Sequence, residues 1–203
     1  MASKAYMQGR YRFLKGGTRP QAMLWSNNPG TLDNGFYVPN GNEGEDFIIV
    51  SDHNRSEINI NPQRIETRER MINGNMRSYW IADKLSISCS WNRLPSRAFN
   101  EDISFNAQGQ ITTTPYLSHT VDSAAGGVDM LNWYESHSGP FYLFLAYDKF
   151  RIDGIEQYNS LYTYRQILKV YFASFEYSIE KRSGIANNNG FDFWNVSTSM
   201  EEV

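Results

Sequence analysis

The chain has 203 residues and a formal net charge of −3, from 19 basic and 22 acidic side chains, with a single cysteine. That length fits one domain and not two full ones; the mixed, slightly acidic charge excludes the basic footprint of a sequence-specific nucleic-acid binder and a polybasic membrane patch; the lone Cys89 excludes an internal disulfide. The rest of the composition points to β structure: 13 Tyr, 12 Phe and 5 Trp stand beside many Asn, Ser and Gly, and blocks of helix-forming residues are few. Met1 to Lys15 shows no signal or transit pattern, and no run approaches the roughly 18 apolar residues of a membrane span. A chain made and kept in the cytosol, with no membrane anchor, is the expectation.

In chain order, two short strands are expected at Arg10 to Leu14 and Gln21 to Trp25, around Lys15-Gly16-Gly17. Asn27-Asn28-Pro29-Gly30 and Asp33-Asn34-Gly35 are dense turn chemistry, so 27–45 reads as a loop insertion. Phe47 to Val50 reads as a strand, Ser51 to Arg55 as a turn, and Glu57 to Ile60 as another short strand, with Ile58 and Ile60 on one side. Pro62 then interrupts, at the start of the next strand, where its missing donor does least harm.

From Gln63 to Trp91 the sequence predicts consecutive antiparallel strands turning at Asn73-Gly74, whose positive φ angles suit a tight hairpin. Between Lys84 and Trp91, Leu85, Ile87, Cys89 and Trp91 alternate with Ser86, Ser88 and Ser90, giving a sheet with one dry face and placing Cys89 in the core. The first arm is different. Arg64, Glu66, Arg68 and Arg70 share one face and Ile65, Thr67, Glu69 and Met71 the other, so neither is cleanly apolar. Such an arm is either a solvated, salt-bridged hairpin or a projection that lies against another chain.

Beyond Trp91, 95–116 reads as a second long loop insertion. One helix is expected, Asp122 to Ser136, capped by Asp122 or Ser123, docked through Val128, Leu131 and Trp133-Tyr134, and stopped by Ser138-Gly139-Pro140. Phe141 to Tyr147 is nearly all apolar and reads as a strand buried on both faces, followed by a polar connection from Asp148 to Asn159. Tyr162 to Lys181 is the longest strand-like run. Its apolar parity switches between Leu168, Val170, Phe172 and Phe175, Tyr177, Ile179, which requires a bulge or bend near Ala173-Ser174. A turn at Asn187 to Gly190 and a closing strand through Phe191, Phe193 and Val196 complete a mainly β fold: a β-sandwich or barrel with a long projecting hairpin and one flanking helix.

Residues for chemistry are scattered. His53, His119 and His137 lie at no metal-ligand spacing, and neither Asp52-His53 nor Ser136-His137-Ser138 is a triad by adjacency alone. Glu43, Glu45 and Asp46, and Glu101-Asp102, read as solvated loop acids, Gly16-Gly17 and Gly126-Gly127 as lone pairs outside any phosphate loop. The sequons at Asn54 and Asn195 mean nothing without a secretory route. No enzyme, metal or cofactor is expected. A sugar-binding β-sandwich module using Trp25, Tyr37, Trp80 and Trp194 is an alternative.

The order of elements carries a resemblance over roughly Glu57 to Val203. The hairpin with Arg-Met-Ile-Asn-Gly-Asn-Met-Arg at its tip, the serine-alternating strand into Trp91, the segment Gly127 to Glu135, the strand Phe141 to Tyr147 and the closing Phe193-Trp194-Asn195-Val196-Ser197 with Glu201-Glu202-Val203 resemble the tail-tube and related tail proteins of tailed bacteriophages. The resemblance implies a β-sandwich with a flanking helix, closing into rings, commonly hexameric, that stack into a tube conducting DNA from the capsid, with hairpins pairing across subunits so that inner sheets form a continuous barrel. It implies a virion structural protein, made in the host cytoplasm, contacting other tail proteins; a terminator, connector or baseplate component on the same fold is the neighbouring alternative. Physical reasoning agrees, because a ring pairs an edge that a monomer would have to blunt. The inter-subunit contacts are then expected at Arg64, Glu66, Arg68, Arg70, Asn73, Gly74, Arg77 and Trp80.

Overall fold

The computed structural model describes residues 22–33, 35–98, 119–146, 164–182 and 191–203. The expected strand at Arg10 to Leu14, most of the 95–116 insertion, the connection after Tyr147 and the turn at Asn187 to Gly190 lie outside them. In chain order the elements are β1 (Met23–Ser26), β2 (Thr31–Asp33), β3 (Phe36–Val38), β4 (Phe47–Ile49), β5 (Asn59–Arg70), β6 (Met76–Pro95), α1 (Gly127–Ser136), β7 (Phe141–Leu145), β8 (Gln166–Arg182) and β9 (Asp192–Glu202). Seven strands form one antiparallel sheet in the order β4-β1-β7-β8-β9-β6-β5, and β2 and β3 form a small second sheet. Among the described residues the fold is mainly β with one flanking helix, as the sequence predicts.

The sheet curls until β4 reaches β6. The Trp91 indole donates to the Ser51 carbonyl at 2.7 Å, Ser56 N to Ser90 O at 2.8 Å, and Asn92 N to Asn54 O at 3.2 Å, so the segment leaving β4 is laid along β6. This barrel-like closure encloses the larger apolar cluster, with Trp25, Trp91, Trp133, Phe141, Val170 and Met200 among its members. A smaller cluster around Leu24, Phe47, Phe144 and Tyr164 fills the other face of β1, β4 and β7. Hence 141–147 reads as an unbroken apolar run: Phe141, Leu143 and Leu145 belong to one cluster, Phe144 and Ala146 to the other. Cys89 is buried, and burial pushes its thiol up to about 11, as expected of an inert core residue.

Three boundaries differ most from the sequence reading. The 27–45 stretch is not all loop, since Thr31–Asp33 and Phe36–Val38 pair as the antiparallel strands β2 and β3. The expected short strand begins only at Asn59 and runs unbroken into the charged arm as one 12-residue strand, Asn59–Arg70, with Pro62 inside it opposite Leu85. That is tolerable because β5 is the sheet's edge strand, where a missing donor costs no ladder bond. The helix begins at Gly127, not Asp122. The Asp122 carboxylate instead accepts from Ser51 Oγ and Asp52 N, both at 2.7 Å, tying this loop to the end of β4, and the helix entry is organised by Asp129 accepting from Gly126 N at 3.1 Å. Two glycines admit the helix: a Cβ on Gly126 would lie 2.6 Å from the Pro95 carbonyl oxygen and one on Gly127 3.0 Å from the Trp194 ring.

The parity switch in β8 is present where expected. Register shifts between Phe172 and Ser174, leaving Ala173 as the extra residue, so that Phe172 and Phe175 both face the larger core. Phe172 stacks on Phe141 with centroids 4.4 Å apart, and Phe175 stacks on Tyr134 of α1 at 4.8 Å.

The histidines give a pH prediction. Burial is the leading cause that lowers the pKa of His53, His119 and His137 below 6.5, and His53 Nδ1 accepts from Val121 N at 3.1 Å, a bond only the neutral ring makes. Below the ordinary imidazole value the unfolded chain therefore binds protons that the folded chain resists binding. The stability these groups contribute is fully present above about pH 6.5 and is lost as pH falls through their lowered folded values. Urea midpoints measured from about pH 7.5 down to about 5.5 are expected to fall; a flat profile overturns this.

Candidate assembly interface

Across the sheet one register row runs Tyr171, Glu201, Ser86, Asn61. Just past it β9 ends, with Lys84 Nζ donating to the Val203 carbonyl. From Arg64 outward β5 and β6 continue as a two-stranded hairpin, about 24 Å of strand at about 3.4 Å per residue. Every residue in this extension is exposed except Glu66 and Ala82, which are half-buried. The projecting hairpin is thus confirmed, and it has a bulge at Ile81, the unpaired residue between the Ile65–Ala82 and Glu66–Trp80 pairs.

The hairpin's charges are largely engaged within it. Arg64 Nε binds Asp83 at 2.9 Å, Arg68 binds Glu66, and Ser78 Oγ donates to Glu66 at 2.7 Å. Arg64, followed by the Trp80 side chain, holds the Asp83 carboxyl below its usual range; the Ser78 hydroxyl, then Arg68, does the same for Glu66. In full solvent such pairs contribute little stability; they set the hairpin's side-chain geometry. Glu69 stands opposite Arg77 in register, but neither it, Arg77 nor Arg70 closes an ion pair among the described residues. So of the expected contact residues Arg64, Glu66 and Arg68 are partnered inside the chain, while Arg70 and Arg77 stay available.

Asn73 and Gly74 make the turn, with a different geometry from the one the dipeptide implies. Gly74 N donates to Met71 O at 2.9 Å and Met71 N to Asn75 O at 2.8 Å, a three-residue loop in which Gly74, at φ 83°, takes the left-handed position while Asn73 keeps a negative φ. Gly74→Ala is expected to cost about 1 to 2 kcal/mol at this position. Because the tip opens separately from the core, the loss should appear as faster amide exchange confined to the hairpin, with an unchanged global denaturation midpoint.

Trp80 is exposed as an expected contact residue would be, and what sequence reasoning missed is the apolar surface around it and at the tip. Ile72 is 110% exposed, Ile81 63%, Trp80 62% and Met76 58%, and Tyr79 and Ile65 are exposed on the opposite face. The available signal was Ile72 standing inside a turn between two methionines. Of the residues offered for sugar stacking, Trp25 and Trp194 are buried and Tyr37 half-buried, leaving Trp80 as the exposed one.

The sheet's outward face below the hairpin is hydroxyl-rich. The row Asn59, Ser88, Ser199, Ser174 is followed by Ser90, Ser197, Glu176. A shallow depression of about 240 Å³ lies over the second row, lined also by Asn92, Tyr177, Ser178 and Asn195. An adjoining open cleft contains Arg55 and Arg93, neutralised by Asp52 at 2.7 Å and Glu180 at 3.0 Å.

The groups that could do chemistry are committed elsewhere. Ser51 Oγ donates to Asp122, not to His53, and His53 accepts a backbone amide. The Ser136 hydroxyl lies 3.0 Å from His137 Nδ1 but also 2.8 Å from the Asn132 carbonyl, and the imidazole stacks on Trp133 at the helix end. No group of three or more His, Cys, Asp or Glu is arranged to hold a metal among the described residues, and no described helix is long and apolar enough to cross a membrane.

No family model matches this chain, and no curated protein matches it in sequence. Among solved structures it is similar to a chain from the tail of an empty GTA particle, computed with helical refinement under C6 symmetry, with 9% sequence identity and a TM-score of 0.38 over 90% of each chain. At that level the likeness carries no functional argument.

Proposed function

We propose that this chain is a structural subunit of a bacteriophage-type tail, acting by self-association and not by catalysis, and that it is the tail-tube subunit, whose copies close into rings, hexameric by family resemblance, and stack around a lumen that conducts DNA. The observation that carries this reading is the hairpin: a projecting two-stranded extension with an open outer edge and exposed apolar residues that no part of its own core uses. The outward face supports the second half. Serine and asparagine rows with Glu176 and Glu201, and no free lysine or arginine in those rows, present a polyanion with hydration and mild repulsion in place of a binding surface. The protein then belongs to the virion tail, assembled in the host cytoplasm among other tail proteins.

Negative-stain electron microscopy of the purified chain over a range of concentrations tests this. Rings or tubes with a central hole on the order of 20 Å, wide enough for a duplex whose major groove alone is about 12 Å across, are expected. Single rings that never stack favour a terminator, connector or baseplate role; uniform monomers at every concentration overturn the proposal.

A further inference from the structure

We propose that the cleft at the foot of β6 and β9 is a binding site for a neutral saccharide, with Asn54, Asn92, Arg93 and Asn195 as its contact residues. The inference goes beyond self-association and does not depend on it. The hairpin grows from the opposite end of β6, so the cleft can fill while the hairpin stays free.

Three irregularities of the chain converge on this one place. β6 carries an extra residue here, because Asn92 and Arg93 together stand opposite Asn195 between the Trp91–Val196 and Leu94–Trp194 pairs. β8 carries another, Glu180, between the Ile179–Trp194 and Lys181–Phe193 pairs on the other side of β9. The third is backbone conformation: Arg93 at φ 55° and Asn54 at φ 49°, on either side of the Asn92 N to Asn54 O bond, are both left-handed. Asparagine takes that conformation readily and arginine does not. Bulges re-aim side chains, and backbone outliers cluster where a site needs them. Trp91 and Leu94 are fully buried, so the extra residue turns Asn92 and Arg93 both outward. Arg93 then reaches over β9 to Glu180, its Nε 3.0 and 3.3 Å from the two carboxylate oxygens.

The chemistry of the cleft selects the ligand. It encloses about 610 Å³, within the size range of small-molecule sites, and every residue that lines it is polar, so an apolar group gains nothing there. Its two arginines are neutralised by Asp52 and Glu180, and a phosphate or carboxylate would meet the Glu180 carboxylate; the cleft complements a ligand without net charge. Arg55 is spent on Asp52 and the Ser56 carbonyl, at 2.7 and 2.8 Å, and is a fixed wall. What the other residues offer is hydrogen bonding in both senses. Asn195 Oδ1 accepts from Arg93 N at 2.9 Å, but among the described residues Asn195 Nδ2 and the Asn54 and Asn92 side-chain amides make no hydrogen bond, and Arg93 has both Nη groups left to donate. Amides that both donate and accept match hydroxyls that do the same, and saccharides are the ligand class that presents such hydroxyls in rows.

The full chain, dilute, is titrated with chitotriose, with maltotriose and, for comparison, with inorganic phosphate, and followed by backbone amide NMR. Saturable shifts at Asn54, Asn92, Arg93 and Asn195 with one of the trisaccharides, at about 1 mM or tighter, are expected. Arg93→Gly then separates binding from folding. Glycine takes a φ of 55° without strain and an exposed ion pair contributes little, so the urea midpoint should stay at or above the native one. Trisaccharide affinity should fall about tenfold or more with the guanidinium gone. Native affinity in this variant overturns the site, as does phosphate binding tighter than both sugars or the absence of saturable shifts with either one. None of these outcomes bears on assembly, which electron microscopy reads separately.

Discussion

Reversing both Arg68 and Arg70 to glutamate should abolish assembly at concentrations where the native chain assembles, while far-ultraviolet circular dichroism stays native. The substitutions change the arm's charge by four units, break the Arg68–Glu66 pair and reverse Arg70, which closes no ion pair among the described residues. Like charges brought together at an interface cost several kcal/mol. The concentration for half-assembly should then rise about tenfold to a hundredfold, at about 1.4 kcal/mol per decade, as read by sedimentation velocity. Both positions lie on the exposed hairpin, so the core is untouched. A double variant that assembles at the native concentration removes the hairpin from the interface.

The second large effect belongs to the closure. Trp91 is fully buried, and its indole is one of the links between β6 and the backbone leaving β4. Trp91→Ala removes about 3–5 kcal/mol of packing and strands the Ser51 carbonyl at about 1–3 kcal/mol more, a sum comparable to the 5–15 kcal/mol total stability of a domain. Trp91→Phe retains most of the packing and should cost chiefly the hydrogen-bond share. Urea denaturation of both variants separates the two contributions. If alanine leaves the midpoint unshifted, the curl of the sheet is not held at this point.

These two positions also mark what could be read in advance. The alternation of Leu85, Ile87, Cys89 and Trp91 identified a one-sided strand because a period of two is enforced by every residue, and all the wet positions are serine. The β8 bulge was legible for the same reason, since its phase break can be counted. The helix start was misplaced because Asp122 is a good cap by type, yet its carboxylate is used by Ser51 and Asp52, partners some seventy residues away that no local pattern reveals. At the hairpin, sequence found the element and the turn residues. It assigned Arg64 and Glu66 outward when Asp83 and Ser78 on the returning strand engage them, because cross-strand register passes through a bulge that an alternating charge pattern does not disclose.

Ala173 has a bearing on how this gene can vary. Substitution at that site is cheap, since the side chain is exposed and unpaired. Deleting its codon is a different event. Every later side chain of β8 would trade sides, sending Ser174, Glu176 and Ser178 toward Thr198 and Val196 and turning Phe175 and Tyr177 onto the hydroxyl face. Lineages carrying this strand should therefore drift freely in residue type here while holding its length fixed, and a one-codon loss should be found only with a compensating one-codon gain before Arg182.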